Sequence, residues 1–203
     1  DKFLKLNTSG SESSSGGDFL YDSNTQVLKN VASDKQAWMW KRHKGFDVVT
    51  YKGDGTNDRS IRHSMNKAPE MIWIKNRDET EDWQVGHKGL DGGNDPWTHM
   101  LKLNTNDAEA DLFWFWDFTP TSTHFKVSGN TPVNGNGDDM IAMLFSSVNK
   151  ISKVGSYTGT GSATTITTGF QPRFVIIKNT TAGNHWFTLD TTRGWGSGDD
   201  KYI

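Results

Sequence analysis

The chain has 203 residues, enough for one large core or two modest ones, and sets 22 Lys and Arg against 24 Asp and Glu. That near-balance gives no electrostatic case for nucleic acid or an anionic membrane, the absence of Cys excludes disulfides and thiolate metal sites, and no stretch approaches the roughly 20 apolar residues of a membrane helix. The apolar share is only 33%, but 9 Trp and 11 Phe supply large buried area per residue, and 21 Gly with many Thr and Asn point to strands joined by tight turns.

In chain order, Leu4-Lys-Leu-Asn-Thr8 is followed by a low-complexity loop at Ser11 to Ser15, and Trp38-Met-Trp40 alternates bulky groups as a strand would. Phe46-Asp-Val-Val-Thr-Tyr51 alternates and ends in the Gly53-Asp-Gly55 turn. Glu70-Met-Ile-Trp-Ile-Lys75, just after Pro69, is a near-continuous apolar run and predicts a central strand, with Trp83-Gln-Val as its hairpin partner. Met100-Leu-Lys-Leu-Asn104, Leu112-Phe-Trp-Phe-Trp116, His124-Phe-Lys-Val127 and Met140-Ile-Ala-Met-Leu-Phe145 continue the set. Arg173-Phe-Val-Ile-Ile-Lys178 and Trp186-Phe-Thr-Leu-Asp190 predict a second hairpin. No window longer than about ten residues shows helical periodicity, so the prediction is an all-β antiparallel sandwich or barrel.

The same phrases recur about every hundred residues. Tyr51-Lys-Gly-Asp-Gly55 returns as Tyr157-Thr-Gly-Thr-Gly161, Pro69-Glu-Met-Ile-Trp-Ile-Lys-Asn76 as Pro172-Arg-Phe-Val-Ile-Ile-Lys-Asn179, Trp83 as Trp186, and Leu4-Lys-Leu-Asn-Thr8 as Leu101-Lys-Leu-Asn-Thr105. The expected organisation is the second half of a module over residues 1–45, a complete module over 46–150 and the first half of another over 151–203. Half a sandwich cannot bury its apolar face alone. The terminal halves are therefore expected to pair within one chain as a permuted module, to pair between successive chains as a head-to-tail fibre, or to belong to a longer array, which the start at Asp also suggests. Repetition multiplies contacts and argues for an adhesive or structural role.

The run Phe46-Asp-Val-Val-Thr-Tyr-Lys-Gly-Asp-Gly55, Lys67-Ala-Pro-Glu-Met-Ile-Trp-Ile-Lys-Asn-Arg77, Asp82-Trp-Gln-Val, Leu101-Lys-Leu-Asn-Thr105 and Thr119-Pro-Thr-Ser-Thr-His-Phe125 resembles a tandem module of marine and cyanobacterial phage tail-fibre, baseplate and particle-surface proteins. The resemblance covers residues 46–203 strongly and residues 1–45 more loosely, with Asp34-Lys-Gln-Ala-Trp-Met-Trp40 standing where Asp138 to Phe145 stands in the next copy. It implies a concanavalin-like, jelly-roll-like β-sandwich and a virion or extracellular location, and it carries no catalytic motif.

The candidate chemistry follows residue by residue. Asp138/Asp139, Glu79/Asp82 and Asp199/Asp200 lie in Gly- and Asn-rich turns, where acids cap and bend backbone, and none is singled out as a glycosidase pair. Asp54, Asn57 and Asp58, a second group at Asp91 to Asp95, and Asn134, Asn136 and Asp138 offer hard oxygens on flexible loops, as a Ca²⁺ site would need. The six His lack close ligand spacing, and no serine elbow or dinucleotide loop exists. Aromatic residues are the stronger lead. Trp38, Trp40, Trp114 and Trp116 would present one set of rings to a core and another to an interface or a sugar, and Trp97 and Trp195, in Gly/Asp loops, would face solvent as glycan contacts. The expected function is a non-enzymatic virion structural protein for assembly or host-surface adhesion. Its expected partners are other copies of itself in a homo-oligomer, other virion proteins or a cell-surface glycan, with no nucleic acid and no membrane insertion. The alternatives are a secreted carbohydrate-binding module attached to a glycan-active enzyme and, further off, a lyase or hydrolase on the same scaffold.

Overall fold

The computed structural model describes residues 2–14, 20–22, 27–29, 38–112 and 118–192. Trp114, Trp116 and Trp195 lie outside them. Its strands are β1 (Lys2–Phe3), β2 (Ser13–Ser14), β3 (Leu20–Asp22), β4 (Val27–Lys29), β5 (Phe46–Lys52), β6 (Arg59–Arg62), β7 (Met71–Asn76), β8 (Gln84–His87), β9 (His99–Lys102), β10 (Ala110–Asp111), β11 (His124–Val127), β12 (Asp139–Phe145), β13 (Phe174–Ile177) and β14 (Phe187–Asp190). The only helical pieces among the described residues are a 3₁₀ turn at Leu90–Gly93 and the single-turn α1 (Thr131–Asn134).

The chain is all-β, and its centre is a six-stranded antiparallel sheet in the order β10-β9-β8-β7-β12-β5. β12 is the axle: it pairs with β5 from Asp139↔Lys52 to Phe145↔Phe46 and with β7 from Met140↔Asn76 to Phe145↔Met71. Period-two alternation then sorts side chains between two faces. Ile72, Ile74, Met100, Met140, Ala142 and Leu144 point inward, where the β11-β6 ribbon covers them with Phe125, Val127 and Ile61. Those two layers make the sandwich, with Trp97 and Val133 closing its core. The outward residues of the large sheet are also apolar: Phe46, Trp73, Val85, Leu101 and Phe145 form a second buried cluster with Trp83 and Leu90. Both faces are dry, which explains why β7 reads as a continuous apolar run rather than an alternating one.

Three fastenings hold the sandwich together. Asp47, fully buried on the inner side of β5, accepts from Ser64 N–H at 3.0 Å and Ser64 hydroxyl at 2.9 Å and is paired with Arg42. Burial alone would raise its carboxyl pKa, but Arg42 and Ser64 outweigh burial and hold it below the usual carboxylate range. Gly53 and Gly135 let two loops touch through their backbones, since a Cβ on Gly53 would stand 1.9 Å from the Gly135 carbonyl oxygen. Gly45, at φ 82°, turns the chain into β5 where a side chain would meet Ser152 and the Ser146 carbonyl.

Two small hairpins repeat the geometry of larger ones. β7–β8 pairs Met71↔His87, Ile72↔Gly86, Trp73↔Val85 and Ile74↔Gln84, while β13–β14 pairs Phe174↔Asp190, Val175↔Leu189, Ile176↔Thr188 and Ile177↔Phe187. Every partner is displaced by the same number of positions. β1–β2 likewise pairs Lys2↔Ser14 and Phe3↔Ser13, as β9–β10 pairs His99↔Asp111 and Met100↔Ala110.

Candidate functional site

Loops at one end of the sandwich converge where calcium ligands are expected, and the structure places an arginine there. Asp54 Oδ1 accepts from Thr56 N–H at 3.0 Å, Thr56 hydroxyl at 2.8 Å and Asn134 Nδ2 at 3.0 Å, while Oδ2 faces Arg59 Nε at 3.2 Å. The Thr56 N–H leads the effects, with Asn134 and Arg59 adding to it, that hold the Asp54 carboxyl down to about 2. Asn134, fully buried, accepts from Asp54 N–H at 3.2 Å and from Arg59 Nη1 at 3.0 Å. The remaining expected ligands turn to other partners. Asn57 accepts from Gly129 N–H at 2.8 Å, Asp58 pairs with Lys126 at 2.9 Å, Asp138 accepts from Asn76 Nδ2 at 2.8 Å, and Asn136 packs beside Gly55. The expected oxygen cluster is therefore not assembled: Asp54 and Asn134 meet around a guanidinium, and the other four serve the loops. Among the described residues no group of three or more His, Asp or Glu is placed to hold a metal ion.

Of the expected acidic residues, Asp82 is bridged to Lys102 at 3.0 Å and Asp139 to Lys52 at 3.0 Å, while Asp199 and Asp200 lie outside the described residues. His87 is the last residue of β8, and its Nδ1 accepts from Gly89 N–H at 2.9 Å. Burial first, and then the neighbouring Lys88, depress its pKa to about 4, so the ring is neutral and suited to accept.

The aromatics gather instead on the outer face of the large sheet. Trp83 is fully buried and its indole N–H donates to the Lys5 carbonyl at 2.9 Å. Trp186 donates to the Lys102 carbonyl at the same 2.9 Å. Trp73 packs on Phe145 with ring centroids 4.7 Å apart, and its buried indole N–H meets no acceptor among the described residues. Trp40 spans the seam, its centroid 5.7 Å from Phe46, 6.2 Å from Phe145 and 6.0 Å from Phe174, and Trp38 lies 5.3 Å from Phe174. One side of Trp40 is packed while 40% of the residue stays in solvent, next to Met39 at 79%. An exposed ring braced by three others is a shelf suited to stacking.

Of the aromatic candidates from sequence, the structure thus brings Trp38 and Trp40 together. Trp97 departs from expectation: it is 5% exposed and points into the inner core, not at solvent from a loop tip. The Asp95-Pro96 turn just before β9 swings its ring inward. Sequence reasoning did not place Phe46, Phe145 and Phe174 at this seam, because they meet only through long-range packing.

A family model described as a domain of unknown function (DUF7483) matches residues 21–199. The chain belongs to that family. No curated protein and no solved structure matches the chain. The DUF7483 match runs through both the β7–β8 and the β13–β14 hairpins, and through the aromatic seam between them.

Proposed function

We propose that this DUF7483 chain is a non-enzymatic structural protein of a phage virion, a tail-fibre or particle-surface segment that works in assembly and host-surface adhesion. Its partners are further copies of itself, other virion proteins or a cell-surface glycan. The observation that carries the reading is the use made of the side chains. The acids of the loops are committed to lysine, arginine and backbone donors within the scaffold, and the aromatics hold segments of the chain against one another. What faces outward is contact surface: the Trp40 shelf and exposed apolar groups at Met39, Tyr157 and Ile166. The virion context rests on the resemblance of residues 46–203 to phage particle proteins.

The test is made on purified phage particles that encode the chain. Mass spectrometry and immunogold labelling are expected to find it at a fibre or on the particle surface. Its absence from particles, with recovery instead in a secreted fraction joined to catalytic sequence, would overturn the reading. A glycan array then separates two modes of contact: binding lost in Trp40→Ala marks adhesion through sugar, and no binding by wild type marks assembly.

A further inference from the structure

We infer that the chain is a closed pseudo-twofold pair of modules, packed through the outer faces of their sheets, with the second module assembled from both ends of the chain. The first module contains β5 to β12. The second draws β1–β2 and Trp38–Trp40 from the N-terminal side and β13–β14 from the C-terminal side.

The contacts between the modules are reciprocal. Trp83 of the first donates to the Lys5 carbonyl of the second, and Trp186 of the second donates to the Lys102 carbonyl of the first. Trp83 corresponds to Trp186 in the matched hairpins, and Lys5 corresponds to Lys102 in the repeated Leu-Lys-Leu-Asn-Thr phrase. A second exchange follows the same rule: Glu12 N–H donates to the Arg77 carbonyl at 2.7 Å, and Glu109 N–H to the Thr180 carbonyl at 2.7 Å. Arg77 and Thr180 occupy one position after the two copies of Ile-Lys-Asn, and Glu12 and Glu109 follow β1 and β9 at one spacing. Residue i touching j while j's counterpart touches i's is the mark of an isologous interface.

The same four bonds would arise in an open stack in which each copy docks on the one before it. The aromatic seam separates the two arrangements. Trp38 and Trp40, from the first copy, pack directly on Phe174, from the third, at 5.3 Å and 6.0 Å. An open stack holds those copies apart by a whole module, whereas a closed pair makes them one body. Phe174 is the counterpart of Met71, which lies opposite Phe145 in β12, so Trp38–Trp40 takes the place beside β13 that β12 takes beside β7.

The chain has no Cys, so introduced thiols are the only ones present. Three double variants of the 203-residue chain, Glu12→Cys/Arg77→Cys, Glu109→Cys/Thr180→Cys and Trp38→Cys/Phe174→Cys, are treated with a short bismaleimide at low protein concentration. All three are expected to link within one chain, giving a faster-migrating band at monomer mass on a denaturing gel. Linkage between chains, or linkage of the first two pairs without the third, overturns the closed pair. Hydrogen exchange on the unmodified chain supplies a reading free of any substitution: the Glu12 and Glu109 amides are expected to be protected to a similar degree, and full-rate exchange at either overturns the inference.

Discussion

Two corresponding phrases of this chain have different structures. Tyr51-Lys-Gly-Asp-Gly55 ends a seven-residue strand zipped along its length to β12, and the Tyr51 hydroxyl donates to the Val133 carbonyl at 2.5 Å. Tyr157-Thr-Gly-Thr-Gly161 forms no strand, and Tyr157 is 52% exposed. The hairpins behave otherwise, since β7–β8 and β13–β14 keep one register in both copies. A hairpin finds its partner across a short loop, and here each loop opens with an Asn whose Oδ1 accepts the N–H two residues on, Asp78 at 3.1 Å and Thr181 at 2.9 Å. β5 depends on a partner 87 positions away in sequence, as the Lys52–Asp139 pair measures. Local pairing is written into the phrase, and distant pairing is conditional on what the rest of the chain delivers.

The largest expected difference between copies is at the paired tryptophans. Trp83→Ala removes a fully buried indole and is expected to cost about 4 kcal/mol, while the half-buried Trp186 is expected to cost about 2 kcal/mol, both read as shifts in urea midpoint. Equal losses would mean that the two copies are packed alike. Next come the turn asparagines. Asn76 is buried and donates to Thr131 O and Asp138, so Asn76→Ala is expected to lose about 2 kcal/mol, against about 0.5 kcal/mol for exposed Asn179→Ala.

The third contrast is in pH, because His87 of β8 is replaced by Asp190 in β14. With a folded pKa of about 4 against 6.5 unfolded, His87 contributes stability that is complete above pH 6.5 and lost as pH falls from 6.5 to 4. The loss is expected to reach about 2 kcal/mol after allowance for partial exposure, and His87→Gln is expected to flatten the slope of stability in that window. His63 shifts in the same direction, first through burial, so part of the slope remains in the variant. At the small end, Tyr51→Phe is expected to cost about 1 kcal/mol and Tyr157→Ala under about 0.5 kcal/mol. A larger loss at Tyr157 would show that its segment is held by contacts absent from this arrangement.

Much of this was legible in the amino-acid order. Alternation in Phe46–Tyr51, and apolar runs after Pro69 and Pro172, located β5, β7 and β13 to within a residue or two. β6 was not legible, because Arg59-Ser-Ile-Arg62 shows the core a single apolar side chain, Ile61, and earns its strand by pairing with β11. The acidic loops suggested Ca²⁺ where the structure has a guanidinium, since Arg59 reaches Asn134 only after folding brings distant segments together. Trp97 was misplaced for the opposite reason: its Gly- and Asp-rich neighbours describe the backbone around it, while the ring's direction is set by the core it fills. The Trp38–Trp40 alternation pointed to a shared seam, yet nothing local in it named Phe174.

The indoles of Trp83 and Trp186 grip main-chain carbonyls, not side chains. A joint that recognises peptide groups is indifferent to what the lysines at its sockets carry, so those positions can drift without loosening it. Recombination between copies could therefore yield new outward surfaces on an unchanged frame.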